Sequence, residues 1–185
     1  MAFWQDVNLE PKRSYRFTLS VTGKTGNIKE FLVEKVGKPS FSINESEVKY
    51  LNHTFYYPGR VSWGDVSFTV TDCLRPSDAN ATAVIMQMLE EAGYNMPEGT
   101  EAGLRTLSKA GSNTALGVVK IHQYLADGGA PQETWVLNNA WIKDAKFGEL
   151  DYGSDDMQKV DITLKYDNAY VQVKGKGNLP TGFMS

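Results

Sequence analysis

Strict alternation of apolar and polar residues is the dominant pattern of this chain. Across residues 13–21, Tyr15, Phe17, Leu19 and Val21 fall on one side and Ser14, Arg16, Thr18 and Ser20 on the other. A period of two sends successive side chains to opposite faces of an extended chain, so the segment predicts an antiparallel strand with one buried face. Gly23-Lys24-Thr25-Gly26 supplies a turn, and residues 28–36 predict the returning strand. Gly37-Lys38-Pro39 breaks the pattern, because proline has no N–H to give to a ladder, and marks a sheet boundary or edge. Residues 41–44 predict a short pairing segment. Residues 45–57 are polar and aromatic with no clear turn residues inside. They predict one extended strand of a hairpin that projects from the core, closed by Pro58-Gly59. Alternation returns at 65–72, with Val66, Phe68 and Val70 on one face.

Helical spacing is convincing in one place. Arg75-Pro76-Ser77-Asp78 is a start signal with Ser77 or Asp78 as N-cap, and Ala81, Val84, Ile85, Met88, Leu89 and Ala92 then recur every three or four residues until Gly93. This predicts a helix over about 78–92, with Met86 and Met88 filling the core. Residues 94–113 are irregular and contain Pro97, Gly99, Gly103 and Gly111, with a short helical pattern at 104–110. An insertion of this length usually carries function or meets a partner. Strands are predicted again at 117–125, 133–142 and 159–166, with 144–153 as a connector and 169–173 continuing the last strand. The fold class expected is mainly β: an antiparallel β-sandwich or open barrel with one flanking α-helix, an extended hairpin and an N-terminal arm. The arm is residues 1–11, the domain 12–173, and a loose glycine-rich tail 174–185.

Composition narrows the function. The chain has 185 residues, enough for one core, and 41% of them are hydrophobic, which is ordinary for a folded domain. No apolar run approaches the roughly 18 residues that read as a transmembrane helix. The N-terminus lacks a basic region followed by an apolar stretch, so a start near Met1 and folding in a cytoplasm are expected. The single cysteine, Cys73, excludes an internal disulfide and reads as a small buried hydrophobe. A net charge of −3 argues against a basic nucleic-acid binder.

Candidate chemistry is sparse. His53 and His122 are the only histidines, and neither is accompanied by the compact ligand set that zinc requires. Ser46-Glu47-Val48-Lys49 has the letters of a Ser-x-x-Lys motif, but that motif needs a helical turn and this segment reads as a strand. Gly23-Lys24-Thr25 lacks the upstream glycine and following helix of a phosphate loop, and Gly175-Lys176-Gly177 lacks the third glycine of a dinucleotide fingerprint. Glu149, Asp151, Asp155 and Asp156 do not alternate as a calcium loop would. No catalytic, cofactor-binding or metal residue is assigned, and an enzyme is not expected.

Apolar residues outside the predicted core carry more information. Asn52-His53-Thr54-Phe55-Tyr56-Tyr57 is neutral, aromatic and uninterrupted, unlike the charged or proline-blunted edges of monomeric sheets. Phe3 and Trp4 in the arm and Phe183 in the tail have no core to join. Phe3, Trp4, Phe55, Tyr56, Tyr57 and Phe183 are therefore the candidate subunit-interface residues, each able to bury on the order of 2 kcal/mol of apolar surface between subunits.

A family resemblance rests on the order of several motifs. The stretch Asn139-Ala140-Trp141-Ile142, then Phe147-Gly148-Glu149-Leu150-Asp151-Tyr152-Gly153-Ser154-Asp155-Asp156, then Val160-Asp161-Ile162-Thr163-Leu164-Lys165-Tyr166-Asp167 resembles the closing segment of tail tube proteins of contractile-tailed bacteriophages. Val33-Glu34-Lys35-Val36-Gly37-Lys38-Pro39, the polar hairpin, and Trp63-Gly64-Asp65-Val66-Ser67-Phe68-Thr69-Val70-Thr71-Asp72 before a helix follow the family's order. The likeness runs from about Tyr15 to Ala169, and residues 94–113 and the tail depart from it. The resemblance implies a structural virion protein, made in the host cytoplasm, whose hexameric rings stack into the inner tail tube that conducts DNA when the sheath contracts. Implied partners are further copies of itself, the tail sheath protein, baseplate and tail-terminator proteins, and tape measure protein and DNA passing through the lumen; no cofactor or membrane is implied. Each ring would carry six times −3, and an acidic or polar lumen with few unpaired lysines would let nucleic acid slide without gripping it. Alternatives are a baseplate or terminator protein of the same fold, a non-phage injection tube such as those of type VI secretion, and, from other classes, a monomeric ligand-binding β-barrel or a hydrolase.

Overall fold

Leu19 and Val21, Val119 and Ile121, and Leu137 leave three neighbouring strands on the same side, and that shared apolar face organises the first of two sheets. The computed structural model describes residues 10–24, 27–76, 79–95, 106–174 and 177–179. In chain order the elements are β1 (Phe17–Thr22), β2 (Asn27–Ile28), β3 (Val33–Val36), β4 (Phe41–Tyr50), β5 (His53–Trp63), β6 (Val66–Thr71), α1 (Ala81–Glu91), α2 (Lys109–Leu116), β7 (Val118–Gln123), β8 (Glu133–Asn138), β9 (Trp141–Lys146), β10 (Lys159–Lys165), β11 (Asn168–Val173) and β12 (Gly177–Leu179). A six-stranded sheet has the order β12-β11-β8-β7-β1-β2, a four-stranded sheet the order β3-β6-β10-β9, and β4 and β5 form a ribbon of their own. Every pairing is antiparallel, as the alternation predicts.

The core lies between the sheets and under α1. Val66, Phe68 and Val70 of β6 face the same way as Val160, Ile162 and Leu164 of β10, and all six are almost wholly buried. Each such side chain contributes on the order of 2 kcal/mol of hydrophobic burial. α1 adds Ala81, Val84, Ile85 and Met88. Met86, expected in the core, points outward and is 46% exposed. Cys73 is half-buried.

Several boundaries differ from the sequence reading for identifiable reasons. The expected strand 28–36 is broken: Ile28 pairs with Val21, a 3-10 turn follows at Glu30–Leu32, and β3 then joins the other sheet beside β6. The expected strand 133–142 is likewise two strands in different sheets, turned at Asn139, whose φ of 53° bends the chain at a corner. β11 leaves β10 for the six-stranded sheet. Within the expected loose tail, Gly177–Leu179 pairs with β11.

α1 begins at Ala81. Asn80 accepts the Ala83 N–H at 2.7 Å, while Asp72, arriving from β6, accepts the Ala81 N–H at 2.8 Å and the Thr82 hydroxyl at 2.6 Å. The cap is thus supplied partly by another element; Ser77 and Asp78 lie outside the described residues. A second helix, α2, begins where the short helical pattern was expected to end. Ser108 caps it by accepting the Gly111 N–H at 3.0 Å. Gly111, Ser112, Asn113 and Thr114 are poor helix formers, and the burial of Ala115 and Leu116 secures the helix instead.

Gly117 closes α2 with φ 70°, and a Cβ there would sit 1.7 Å from the Thr22 carbonyl oxygen. The close approach lets β7 start directly beside the end of β1. At the opposite end of these strands, Glu133 joins three parts of the chain. Its carboxylate accepts from Lys12, from Lys38 at 2.8 Å and from the Trp135 indole N–H at 2.7 Å. Lys12 belongs to the incoming N-terminal segment and Lys38 to the link between β3 and β4. Burial alone would raise the Glu133 pKa, but the hydrogen bonds from Lys12, Lys38 and Trp135 outweigh it and hold the group down at about 2.

Gly117→Ala is expected to lower unfolding free energy by roughly 3 kcal/mol, measured by urea denaturation. Gly128→Ala, at φ 63° with nothing within 4 Å of the added methyl, serves as the strain-only comparison and should cost about 1 kcal/mol. The low Glu133 pKa stabilises the fold above the ordinary carboxylate value, and that contribution is lost as pH falls from about 4.5 towards 2. Glu133→Gln should remove on the order of 2–3 kcal/mol at pH 7 and flatten the pH dependence of thermal unfolding across that window.

Candidate assembly surface

The β4–β5 ribbon has no core of its own. Every residue of β4, and every residue of β5 before Trp63, is exposed. The expected single strand over 45–57 proves to be the distal half of both strands, turned at Leu51-Asn52, with Leu51 at φ 51°. Pro58 and Gly59 are not the closing turn. They lie inside β5 where the register skips: Ile43 faces Val61 and Glu45 faces Pro58, leaving Gly59 and Arg60 opposite Asn44. This is a β-bulge, a place that tolerates a proline without a ladder N–H. A Cβ on Gly59 would approach the Asn44 carbonyl oxygen to 2.8 Å, so glycine permits the close approach.

The bulge decides which side chains share a face. Near the base, Phe41 and Ile43 pair with Trp63 and Val61. That apolar face leads into the domain through ring contacts, Phe41 to Trp63 at 5.7 Å and Trp63 to Tyr166 at 6.0 Å. Beyond the bulge the apolar residues change sides. Val48 pairs with Phe55, Ser46 with Tyr57 and Tyr50 with His53, whereas Glu45, Glu47 and Lys49 occupy the other face with Pro58, Tyr56 and Thr54. The distal ribbon is therefore amphipathic, with Val48, Tyr50, Phe55 and Tyr57 all at least half exposed. Two of the sequence-predicted interface residues, Phe55 and Tyr57, come together here, while Tyr56 points the other way. Phe3, Trp4 and Phe183 lie outside the described residues. Val48 and Tyr50 were missed because the turn at Leu51 gives no glycine or proline signal; placing the turn there pairs them with the aromatics.

The four-stranded sheet ends in β3 and β9, each with a free edge among the described residues. The six-stranded sheet ends in shorter strands, β2 with two residues and β12 with three. Four antiparallel strands leave β3 and β9 running in opposite directions. The outward face of this sheet carries charges of both signs. Lys35, Thr69, Asp161 and Lys146 form one cross-strand row, and Ser67, Thr163 and Asp144 form the next. Thr69 donates to Asp161 at 2.6 Å, Lys159 meets Glu34 at 2.7 Å, and Lys143 and Lys165 meet Asp65 at 2.6 and 2.8 Å. Hydrogen bonds from Lys159 and Thr71 lower the Glu34 pKa, and those from Lys143 and Lys165 lower that of Asp65.

Between β9 and the two helices runs a groove of about 810 Å³, with Met86, Leu89, Leu107, Trp141, Ala145 and Phe147 among its lining residues. Asp167 closes one end by accepting from Lys109 at 2.6 Å and from Asn139 at 2.8 Å.

The residues considered for chemistry do not converge. His53 sits at the hairpin tip beside Phe55, and His122 lies in β7 with Nδ1 2.9 Å from the Thr134 hydroxyl, its pKa lowered by burial. Lys49 pairs with Glu47 at 3.6 Å, and Ser46 and Lys49 lie on opposite faces of β4. In the acidic loop Asp151 accepts the Gly153 N–H at 2.9 Å and Asp156 bonds Ser154 at 3.0 Å. Among the described residues no group of three or more His, Cys, Asp or Glu side chains is placed to hold a metal ion, and no helix is long and apolar enough to cross a membrane.

No protein-family model matches the sequence, and no curated protein sequence matches it. Solved structures do match the fold. A chain of the sheath/tube terminator structure of the PVC extracellular contractile injection system, in its extended state, superposes with a TM-score of 0.63 at 19% identity, covering 89% of this chain and 99% of that one. A chain of the tube-terminating cap of the anti-feeding prophage gives 0.63 at 17% identity over 94% and 99%. A chain of the PVC sheath–tube complex in the extended state gives 0.61 at 17% over 94% and 99%. At these identities the likeness is one of fold, and it is the tail tube protein fold that the sequence resemblance implied.

The distal ribbon contributes nothing to the domain core. Phe55→Ser/Tyr57→Ser is accordingly expected to change the urea midpoint of the isolated domain by less than about 1 kcal/mol equivalent.

Proposed function

We propose that this chain is a structural subunit of the hollow inner tube of a contractile injection apparatus, with no enzymatic role. The observation that carries the reading is the amphipathic ribbon standing clear of the core on a tube-type fold. An exposed aromatic sheet of this kind is a liability in a monomer and a joint in an assembly.

The geometry suggests how a ring closes. Because β3 and β9 run oppositely, the β9 edge of one copy can receive the β3 edge of an identically oriented neighbour as an antiparallel partner. Such a contact is heterologous, so it closes into a ring by rotation, and six copies are the number the family resemblance implies. Stacking of rings is open-ended and gives a filament. The outward face of the four-stranded sheet would then line the lumen. Its lysines are interspersed with carboxylates, Lys159 by Glu34, Lys165 by Asp65 and Lys146 across from Asp161, which weakens the hold such a face would have on a phosphate backbone. In a phage tail the passenger is DNA following the tape measure protein; sheath, baseplate and terminator proteins are the expected outer and end partners, in a virion assembled in the host cytoplasm. A terminator of the same fold would stop at a single ring instead of polymerising.

Sedimentation velocity and negative-stain microscopy of the purified chain test this reading. Six-fold rings or tubes are expected, with Phe55→Ser/Tyr57→Ser raising the concentration for half-assembly about tenfold or more. A strictly monomeric particle at high concentration would overturn it.

A further inference from the structure

β7 and β8 are joined by an exposed turn whose one acidic residue precedes a glycine. Residues 126–130 are all exposed, and Asp127-Gly128 is the single Asp-Gly pair of a chain that has no Asn-Gly pair. Asp127 folds its side chain back along the main chain and accepts the Gly129 N–H on Oδ1 at 3.2 Å. This Asx-turn carries the carboxyl carbon back over the intervening Gly128 peptide. Gly128 has φ 63° and nothing within 4 Å of the place a Cβ would take. Among the described residues none accepts a hydrogen bond from the Gly128 N–H. A carboxyl carbon held near the next amide nitrogen, with no side chain on the attacking residue, is the arrangement that closes a five-membered imide.

We propose that Asp127 is a site of spontaneous backbone isomerisation, at which the Asp127–Gly128 link is converted to an isoaspartyl link. The Gly128 nitrogen attacks Cγ of the protonated Asp127 carboxyl. A C–N bond forms, the carboxyl C–OH bond breaks, and the hydroxyl departs as water with the amide proton. The product is a succinimide. Water then opens the ring at either carbonyl. Opening at Cγ restores aspartate. Opening at the main-chain carbonyl carbon leaves the chain running through Cγ and frees the former main-chain carbon as a carboxylate. One water leaves and one returns, so the mass is unchanged and no oxidant or cofactor takes part.

Asp151 is the internal comparison. It makes the same turn, accepting the Gly153 N–H at 2.9 Å, in an equally exposed loop. Its next residue is Tyr152, whose side chain crowds the attacking nitrogen. The fold also tolerates the change at Asp127. Hairpin register is set outside the turn, by the Gln132 N–H on the Gln123 carbonyl at 2.9 Å and by the pairs from Val119–Leu137 to Gln123–Glu133. An added main-chain atom is therefore taken up in solvent, and isomerised chains stay folded and accumulate. The site is independent of the tube reading. Its product is an acceptor for carboxyl methyltransferases that recognise isoaspartyl residues.

The test ages the full chain for several weeks near neutral pH and below its Tm, then digests it with trypsin. Cleavage after Lys120 and Lys143 gives a peptide in which Asp127 is the only aspartate. That peptide should split into two chromatographic peaks of equal mass. The new peak should resist an aspartate-specific endoprotease and accept a methyl group from S-adenosylmethionine with an isoaspartyl methyltransferase. Its yield should exceed that from the Asp151 peptide about tenfold or more. Asp127→Glu, which enlarges the ring, and Gly128→Ala, which crowds the nitrogen, should each suppress the peak. Asp127→Asn, which closes the same ring with ammonia as leaving group, should react faster and release ammonia. An aged wild-type peptide without isoaspartate, a yield no greater than that at Asp151, a peak that persists in Asp127→Glu, or an inert Asp127→Asn would each overturn the proposal and leave the tube reading untouched.

Discussion

A two-stranded ribbon cannot hold itself together in water, because it has hydrogen bonds but no face on which to bury apolar surface. The 41–63 ribbon meets that constraint with an extreme solution: its base is tied to the domain through Phe41, Trp63 and Tyr166, and the remainder stands in solvent. The bulge at Gly59 sets the apolar residues of the base and those of the distal half on opposite faces, and free edges of the four-stranded sheet lie beside them among the described residues.

Two carboxylates, Glu133 and Asp65, tie the root of that ribbon to the rest of the domain. Glu133 joins the N-terminal segment, the link that leads into β4, and the end of β8 in one cluster of hydrogen bonds. Asp65, immediately after the ribbon, is held by Lys143 and Lys165 from two neighbouring strands. Asp65 sits where the chain re-enters the sheet from the ribbon and Glu133 meets Lys38 of the link into it, and the lysines around each carboxylate lower its pKa. A root held by such contacts lowers the ordering cost of any association the ribbon makes.

The four-stranded sheet has β3 and β9 as its edges among the described residues. Its outward charges lie close to one another with opposite sign, as in the row from Lys35 through Asp161 to Lys146, so the face is polar without being strongly basic or acidic. Net charge alone, at −3, suggested this only in aggregate; the pairing of Lys159 with Glu34 and of Lys165 with Asp65 makes it a property of one surface.

The sequence by itself determined the strands whose two faces differ. Leu19 and Val21, Val66 to Val70 and Val160 to Leu164 announce themselves because half-buried strands must alternate, and the helix from Ala81 because a buried helical stripe must recur every three or four residues. Only the tertiary structure decided where an extended run changes sheet, as at Asn139, since local alternation is the same on either side of a corner. It also decided the cap of α1, which depends on Asp72 from a separate strand, and the existence of α2, whose helix-poor residues are secured by the burial of Ala115 and Leu116. In the candidate interface, the aromatics Phe55 to Tyr57 were legible as apolar residues in a polar stretch. Their division between two faces was not, because it follows from a turn at Leu51 and a bulge at Gly59, and register is a property of two strands together. The groove beside β9 was invisible for the same reason: Met86, Leu107, Trp141 and Phe147 meet only after the helices have packed against the edge of the sheet.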